Sequence, residues 1–219
     1  MIDSELTALL HERLASARAE LMPMPLVPEI RLFLINEDFP QHALSREEMM
    51  AIMQRPTYWA FCWASGQVLA RYLLDNPATV RGKTVVDIGC GSGVVAIAAA
   101  LAGADRVIAC DIDDEALTAT AINARQNRVD IELSDNFDHI HGDIDVIVVA
   151  DVLYDRENLP LLRHFLQRCE TVLLADSRIR DFNYSGFTRL GLLTASTVPD
   201  LDESDEFRHV RLYRGGGDI

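Results

Sequence analysis

The sequence predicts a doubly wound α/β fold, in which helices cover both faces of a mostly parallel sheet of seven strands. Three observations support this prediction. From residue 83 onward, short runs of Val, Ile and Ala alternate with segments of helical period. The runs are continuously apolar, which is typical of parallel strands buried on both faces. A glycine-rich turn also joins the first run to the helix after it, as in nucleotide-binding α/β proteins.

The strands and helices of this core follow from the pattern in chain order. The predicted strands cover residues 84–88, 106–110, 131–133, 144–150, 171–175, 187–194 and 207–213. The predicted helices between them cover residues 94–102, 114–126 and 159–168. The last two strands have no helix between them and are joined by an acidic stretch. We therefore expect an antiparallel pair at one edge of the sheet.

Ahead of this core, the sequence predicts an N-terminal helical extension. We expect residues 1–80 to pack on the core of residues 81–219, because 219 residues suffice for one sizeable core and are short for two. The first helix of the extension begins at Ser4, a preferred capping residue, and ends before Pro23. The chain is therefore expected to form one structural domain overall.

Two further helices and one strand are predicted within the extension. Ser45 and Glu48 have the spacing of a capping box, which places a short helix before Pro56. Residues 63–74 have the pattern of an amphipathic helix that ends at an Asn-Pro pair. The β-branched and large apolar residues of segment 29–35 predict one short strand.

The charge balance of the chain bears on its partners. With 34 Asp and Glu against 20 Lys and Arg, the formal net charge is −14. Such a protein repels the phosphate backbone of nucleic acids, so we expect no nucleic-acid partner. The charge favours a cationic partner instead. The acidic stretch 200–206 is either a solvated loop or a surface that receives a basic protein segment.

The apolar runs and the potential metal ligands bear on location and cofactors. The longest small-apolar run, residues 94–102, is far below the ~20 residues needed to cross a bilayer, so no membrane partner is expected. The N-terminus lacks the basic region and apolar run of a secretory signal. The four cysteines form no Cys-x-x-Cys pair, which predicts free thiols and cytoplasmic residence. His139 and His141 have no third ligand at suitable spacing, so no metal site is predicted.

The clearest chemical signal is the turn after the first core strand. Residues 85–93 read Val-Val-Asp-Ile-Gly-Cys-Gly-Ser-Gly, which places a Gly-x-Gly-x-Gly turn between a strand and a helix. Glycines in such a turn let a ligand approach the backbone closely. Asp111 ends the next strand, where a carboxylate accepts hydrogen bonds from both hydroxyls of a ribose. Together the two features predict a nucleoside-binding site.

The loop also narrows the kind of nucleoside. The dinucleotide fingerprint Gly-x-Gly-x-x-Gly requires a third glycine where this chain has Val94. The chain also has no Gly-Lys-Ser/Thr sequence to bind a triphosphate. The spacing instead resembles motif I of the seven-strand, Rossmann-like class I methyltransferases. That resemblance implies S-adenosyl-L-methionine as the cofactor.

The resemblance to motif I implies roles for the loop residues. The loop of that family lies under the amino acid end of the cofactor, which corresponds here to Gly89, Cys90, Gly91 and Gly93. Asp87, just before the loop, either faces the cofactor ammonium or caps the turn. The Cys90 thiol is expected to be inert, because no nearby base is available to activate it.

Segments outside the loop carry a closer resemblance. They are Pro-Glu-Ile-Arg-Leu-Phe-Leu at 28–34, Tyr-Trp-Ala-Phe-Cys-Trp-Ala-Ser-Gly-Gln at 58–67, Ala-Arg-Tyr-Leu-Leu-Asp-Asn-Pro at 70–77 and Asp-Val-Leu-Tyr-Asp at 151–155. Together they resemble the lysine methyltransferases that act on the beta subunit of electron transfer flavoprotein. A wider group of protein lysine methyltransferases is marked by Asp-x-x-Tyr after the fourth strand. The matching residues here are Asp151 and Tyr154.

This second resemblance implies the remaining site residues and the activity. Four residues are expected to lie against the cofactor, the middle two near its adenine: Trp63, Asp135, Asn136 and Ala150. Asp151 and Tyr154 are expected to face the transferred methyl. The resemblance thus implies methylation of a lysine side chain of another protein, with the flavoprotein beta subunit as a candidate substrate.

The chemistry of methyl transfer gives the Asp-x-x-Tyr pair physical roles. The reaction is a displacement in line with the sulfonium carbon, so the enzyme mainly has to position the nucleophile. A lysine amine, with a pKa of about 10.4, is largely protonated at neutral pH and has to lose its proton before it attacks. A carboxylate at Asp151 attracts and orients the side chain, and proton acceptance by Asp151 stays open. Tyr154 is expected to shape the channel.

Structural explanations stay open for four of these residues. Asp151 could instead cap the helix that begins after residue 155. Tyr154 could be a packing residue with a hydrogen-bonded hydroxyl, and Trp59 and Trp63 could simply pack on the core.

Two other functions also stay open. A small amine such as nicotinamide could be the nucleophile, because related sequences with the same core accept small substrates. A non-catalytic S-adenosylmethionine-binding module is the other alternative. Such a module would need the glycine loop and Asp111, but no polar pair that faces the methyl.

Overall fold

The computed structural model describes residues 1–153, 156–179 and 182–216. The chain begins with a small antiparallel sheet of three strands in the order β1-β2-β3, formed by β1 (Ile2–Asp3), β2 (Ala19–Pro23) and β3 (Arg31–Ile35). Three helices accompany this sheet, and they are α1 (Ser4–His11), α2 (Arg46–Gln54) and α3 (Ala64–Asp75). All of these elements precede the main sheet.

The first helix is shorter than the sequence predicts. It ends at His11, although its apolar pattern continues to Leu21, which lies in β2 and pairs with Phe33 of β3. The cap is Asp3, not Ser4, because its carboxylate accepts two amide hydrogen bonds from the first turn, each at 3.0 Å. Pairing with β3 gives the backbone of β2 long-range partners, and this tertiary contact overrides a weak local helical preference.

The second and third helices agree with the sequence patterns. The Ser45 hydroxyl accepts a hydrogen bond from the Glu48 amide at 3.1 Å, and the Ser45 amide donates to the Glu48 carboxylate at 2.8 Å. The predicted capping box is therefore confirmed, and α2 follows it. Trp63 is the N-cap residue directly before α3, and Asn76 is the C-cap residue directly after it.

The main sheet contains the elements β4 (Thr84–Ile88), α4 (Val94–Leu101), β5 (Arg106–Cys110), α5 (Asp114–Gln126), β6 (Glu132–Ser134), β7 (Val146–Ala150), α6 (Leu159–Arg168), β8 (Thr171–Asp176), β9 (Phe187–Thr194) and β10 (His209–Gly215). Its strand order is β6-β5-β4-β7-β8-β10-β9. The first five strands in this order are parallel, and β10 is antiparallel to both neighbours. The predicted seven-stranded, mostly parallel sheet with an antiparallel edge is thus confirmed.

Both faces of the main sheet are buried, because successive strand residues point to opposite sides. Val85 packs in the cluster that contains α3 and α4. The next residue, Val86, packs in the cluster that contains Phe165 of α6. This double coverage explains why the strands are continuously apolar. Among the described residues, no helix has the length and apolarity that a membrane crossing requires.

The N-terminal elements pack against α5. Leu6 and Leu10 of α1 share an apolar cluster with Ala119 and other residues of α5. Two asparagines, one in α5 and one directly after it, bind the outer edge of the small sheet. Asn123 Oδ1 accepts from the Phe33 amide at 2.7 Å, and the Asn127 side chain accepts from the amide of Arg31 and donates to its carbonyl. These contacts hold the segment that leads into α3 beside the carboxyl ends of the main strands.

Candidate active site

A cavity of about 800 Å³ opens at the carboxyl ends of β4, β5 and β7. Small-molecule sites in proteins typically enclose about 300–1,000 Å³, so the cavity has room for a nucleoside with a side chain. The chain passes from β4 to β5 on one side and returns through β7 on the other. Doubly wound sheets bind their ligands at such a reversal of strand order.

The cavity brings together most of the residues that the sequence singled out. Eight of them line its wall, and they are Trp63, Gly89, Gly91, Asp111, Asp135, Asn136, Ala150 and Asp151. Three others do not line the cavity: Asp87 lies just before the glycine loop, and Cys90 and Gly93 belong to the loop itself. Tyr154 lies outside the described residues, so its predicted role stays a prediction.

Asp111 is held in a fixed position at the cavity wall. One carboxylate oxygen accepts a hydrogen bond from the Gly91 amide at 3.0 Å, and the other accepts from the Asp113 amide at 3.1 Å.

Gly89 has a φ of +69°, and a Cβ there would lie 2.7 Å from a methyl of Val152. A side chain at Gly89 would therefore be strained and would also narrow the cavity.

Asp87 supports the loop from below. It is 1% exposed, and its carboxylate accepts a hydrogen bond from the Ala96 amide in the first turn of α4 at 2.9 Å. Of its two predicted alternatives, this geometry corresponds to the capping role. Burial raises the pKa of Asp87 to about 7, and the nearby Asp111 charge adds to this effect against the lowering by the Ala96 amide.

Cys90 and Gly93 hold the loop against α5. The Thr120 hydroxyl donates to the Cys90 sulfur at 3.3 Å, and burial raises the pKa of the Cys90 thiol well above its usual value. A neutral, buried thiol is a poor nucleophile. Gly93 has a φ of +84°, and a Cβ there would lie 3.0 Å from the Thr120 side chain. Both residues thus serve close packing between the loop and the helix.

The wall beyond Asp111 includes two large apolar side chains. Ile112 follows Asp111 directly and is 94% exposed, and Phe137 lines the cavity with it. Asn136 caps the turn there, because its side chain accepts from the Asp138 amide at 2.9 Å. Asp135 lies at the surface, 3.7 Å from the His139 ring nitrogen. Ile112 could have been found from the sequence, because an isoleucine in a loop directly after the acidic residue has no core to fill.

The two tryptophans have different environments. Trp59 is 1% exposed and its ring nitrogen donates to the buried Glu115 carboxylate at 2.9 Å, so it packs mainly in the N-terminal cluster. Trp63 is partly exposed and lines the cavity. Its ring nitrogen donates to the Tyr58 carbonyl at 3.0 Å, and its ring lies edge-on to that of Tyr58 at 5.9 Å. Both tryptophans line the cavity, but the more exposed Trp63 is the better placed of the two to contact a ligand, whereas Trp59 is mainly structural.

Asp151 connects three elements at the end of β7. One oxygen accepts from the hydroxyls of Ser65 and Ser177 at 2.7 and 2.9 Å and from the Ser177 amide at 3.2 Å. The other accepts from the Ser65 amide at 3.2 Å. The sequence alternative that Asp151 caps the helix after residue 155 is not what the structure has. It caps α3 through Ser65, whereas the N-cap position of α6 is Asn158.

The electrostatic environment of Asp151 follows from these contacts. Burial raises the pKa of the Asp151 carboxyl, and the hydrogen bonds from Ser65 and Ser177 partly offset the rise. Its φ is +51°, a left-handed conformation that Asp and Asn adopt more readily than most residues. The serines were not predicted, since no local pattern connects them to Asp151.

Arg178 is the single Arg or Lys among the described residues that line the cavity. Its guanidinium carbon lies 3.9 Å from the centre of the Phe207 ring and 6.0 Å from that of Trp63, and it forms an ion pair with Glu203. Five aspartates line the same wall: Asp111, Asp113, Asp135, Asp138 and Asp151. The cavity therefore favours a ligand that carries positive charge.

This arrangement fits S-adenosylmethionine, whose sulfonium and ammonium are both cationic. Asp111 has a fixed carboxylate that could accept from ribose hydroxyls, the glycine loop leaves room beside it, and the exposed Ile112 is an apolar surface next to both. In the described ranges, no group of three or more His, Cys, Asp or Glu side chains has the arrangement of a metal site.

Comparison with known proteins identifies the family. Residues 68–169 match the family model of Ribosomal protein L11 methyltransferase (PrmA). The electron transfer flavoprotein beta subunit lysine methyltransferase of Rattus norvegicus is 35% identical over 82% of this chain and 73% of its own length. The protein of that name from Homo sapiens is 40% identical over 66% of this chain. The chain spans 55% of the length of the human relative.

Solved structures share the fold. The ribosomal protein L11 methylase from Lactobacillus delbrueckii subsp. bulgaricus has 26% identity and a TM-score of 0.52, with 70% of this chain and 79% of that chain covered. Magnesium protoporphyrin IX methyltransferase from Synechocystis PCC 6803, solved with bound SAH, has 17% identity and a TM-score of 0.53 over 69% and 82% of the two chains.

The comparisons and the cavity agree on the cofactor. The methyltransferase relatives and the matching family model indicate S-adenosylmethionine, and the acidic cavity at the glycine loop suits it. The seven-stranded sheet with its antiparallel edge is the fold that these neighbours share. On the extent of its identity to the rat protein, the chain belongs to the family of electron transfer flavoprotein beta subunit lysine methyltransferases.

Proposed function

We propose that this protein transfers methyl groups from S-adenosylmethionine to a lysine side chain of another protein. One observation carries the proposal. A carboxylate, Asp151, is fixed by four hydrogen bonds at the cavity wall directly after Ala150, on the opposite side of β4 from Asp111. A module that only binds the cofactor has no need for a second fixed carboxylate there.

The residues of the chain mainly position the reactants. When bound, S-adenosylmethionine supplies an electrophilic methyl group on its sulfonium. Asp111 would hold its ribose, and Trp63, which lines the cavity, would lie against it. Asp151 attracts the incoming lysine ammonium and orients it. Holding the two reactants in the right geometry in this way is expected to supply most of the rate enhancement. Its raised pKa also makes Asp151 a better proton acceptor than a solvated carboxylate.

The substrate proposal follows the family. Two relatives are named for the beta subunit of electron transfer flavoprotein, and we propose the same subunit as the substrate of this chain. The net charge of −14 supports a cationic protein segment over nucleic acid or an anionic membrane as the partner. We further propose that the protein works in the cytoplasm, which the four unpaired cysteines support.

The proposal can be tested with labelled S-adenosylmethionine. The purified protein is incubated separately with recombinant flavoprotein beta subunit and with nicotinamide, and protein is then separated from small molecules. We expect label on the protein, located by mass spectrometry at lysine. A beta subunit whose lysines have been acetylated is the matched control and should take up no label. Label on nicotinamide alone would mean that the substrate is a small amine and not a protein lysine. No label in either arm would favour a non-catalytic binding module.

A further inference from the structure

A second cavity, of about 220 Å³, lies beside the large one. Tyr58 and Trp63 line both cavities and form the wall between them. The other walls are mainly apolar and include Leu14, Phe39, Leu44, Ile52, Phe61 and Leu201. A dry apolar cavity of about 150 Å³ holds a benzene ring, so this one has room for a single large apolar side chain. We refer to it as the side pocket.

The side pocket is formed where several segments of the chain meet. Leu14 follows α1, Phe39 and Leu44 come from the loop after β3, and Ile52 comes from α2. Another segment is the loop that joins β9 to β10. It is fixed by a backbone bridge, in which the Cys62 amide donates to the Val198 carbonyl at 2.7 Å and the Val198 amide donates back at 2.9 Å. The pocket is therefore held next to Trp63.

The rim of the side pocket is acidic. Glu37 and Asp200 belong to the pocket lining, which contains no Lys or Arg among its described residues. The β9–β10 loop continues with Asp202, Asp205 and further acidic residues, and these two side chains are 75% and 94% exposed. Arg208 lies 3.3 Å from the Asp200 carboxylate and 3.9 Å from that of Asp205, and His42 lies 3.2 Å from that of Asp202. The acidic side chains of the loop still outnumber these cationic ones, so the rim has a net negative charge.

We propose that the side pocket binds an apolar side chain of the substrate protein, on a basic segment that also carries the target lysine. The inference rests on the proposed lysine methylation. An apolar pocket inside an acidic rim complements an apolar residue flanked by cations. The shared Tyr58 and Trp63 wall places that residue near the lysine that enters the large cavity. The pocket therefore helps to select which lysine is methylated.

The first test replaces one apolar residue of the pocket. Leu201→Asn puts a polar amide into the lining, and the matched control is Leu101→Asn, an exposed leucine at the end of α4 away from the glycine loop. With flavoprotein beta subunit as substrate, we expect Leu201→Asn to raise KM about tenfold, because apolar anchors dominate binding. The kcat and the dissociation constant of S-adenosylmethionine should stay within about twofold. Ile52→Asn, from another segment of the same pocket, should reproduce the effect.

The second test concerns the rim charge. The double variant Asp202→Asn and Asp205→Asn is compared with Asp130→Asn and Asp143→Asn, which remove equal charge from exposed loops outside the pocket. The rim variant should raise KM about threefold to tenfold at low salt and weaken its dependence on salt, because exposed charges are screened. The control should leave both quantities unchanged.

The outcomes separate this inference from the proposed function. If the wild-type protein labels no flavoprotein subunit, the proposed function falls and the docking role falls with it. If the wild type labels the subunit while folded Leu201→Asn and Ile52→Asn keep its KM, only the docking role is wrong. The side pocket could instead be occupied by a second copy of this chain, which light scattering tests. A wild-type dimer that Leu201→Asn dissociates would make the side pocket a contact between two copies and would overturn the inference.

Discussion

The two ends of the large cavity are built in different ways. At the glycine loop, the key contacts join residues close in the chain: Gly91 bonds Asp111 across 20 positions and Ala96 bonds Asp87 across 9. At the end of β7, Asp151 bonds a serine 86 positions away. The first end is a local βαβ unit that many folds share, whereas the second also needs the N-terminal extension to pack beside the sheet, because Ser65 supplies two of the four hydrogen bonds to Asp151.

This difference indicates where specificity resides. The extension contributes Tyr58, Trp63 and Ser65 to the cavity or to the support of Asp151. The glycine loop can bind a cofactor whatever the substrate is. We therefore expect changes at Asp151 to affect transfer more than binding, and changes at Asp111 to do the reverse.

The largest expected effect is that of Asp151→Asn. Asparagine keeps the shape and tolerates the left-handed backbone, but it removes the charge that orients the lysine. We expect methyl transfer to fall about 100-fold or more, as is typical when a positioned acid–base group is lost. The dissociation constant of S-adenosylmethionine should change less than about threefold. Single-turnover rates and calorimetric titration measure the two quantities.

A matched pair of variants separates the chemical role of Asp151 from its structural one. The double variant Ser65→Ala and Ser177→Ala, compared with Asp151→Asn, removes both hydroxyl donors and leaves the carboxylate in place. We expect a lower melting temperature, because each lost bond to a charged group contributes about 1–3 kcal/mol, and a smaller loss of rate than in Asp151→Asn. If Asp151→Asn kept the full rate, Asp151 would be only the cap of α3.

A smaller effect is expected at the other end of the cavity. Asp111→Ala removes the carboxylate that Gly91 and Asp113 hold against the ribose position. We expect S-adenosylmethionine to bind about 10- to 100-fold more weakly, because charge-assisted hydrogen bonds are lost. Asp114→Ala, an exposed acidic residue in the first turn of α5, is the control and should bind normally. Equal affinities in calorimetry would contradict the ribose assignment of Asp111.

The smallest expected effect concerns stability under the loop. The pKa of Asp87 is about 7 in the folded protein, against ~3.9 in an unfolded chain, so the folded state retains a proton between these values. The contribution of Asp87 to stability is therefore present at low pH and is lost as pH rises toward 7. Asp87→Asn removes this dependence while an amide oxygen can still accept from Ala96.

Urea unfolding at pH 5.5 and 7.5 measures this contribution. From pH 5.5 to 7.5, the unfolding free energy of the wild type should fall by about 2 kcal/mol relative to that of Asp87→Asn, because the wild type has to bury an ionised carboxylate at the higher pH. The control is Asp130→Asn at an exposed position, which measures the effect of losing one negative charge from the surface. A difference that is independent of pH would mean that Asp87 stays ionised in the fold.

Much of the fold was predictable because its patterns are local. The core strands and helices were placed within two residues of their observed bounds. The turn between β4 and α4 and the position of Asp111 beside it were also predictable, since strand, turn and helix follow one another there. The helix predicted from Ser4 to before Pro23 was wrong in its second half, because residues 19–23 pair with the strand at 31–35, and the local pattern of residues 4–22 does not record that pairing.

The sequence by itself determined the parallel sheet, the glycine loop and the acidic residue after it, because each depends on periodicity or spacing within a short stretch of chain. Tertiary structure alone decided that Ser65 and Ser177 hold Asp151, that Arg178 lies over Phe207, and that distant loops enclose the side pocket. These contacts depend on how whole elements pack against one another. No spacing within the chain records that packing.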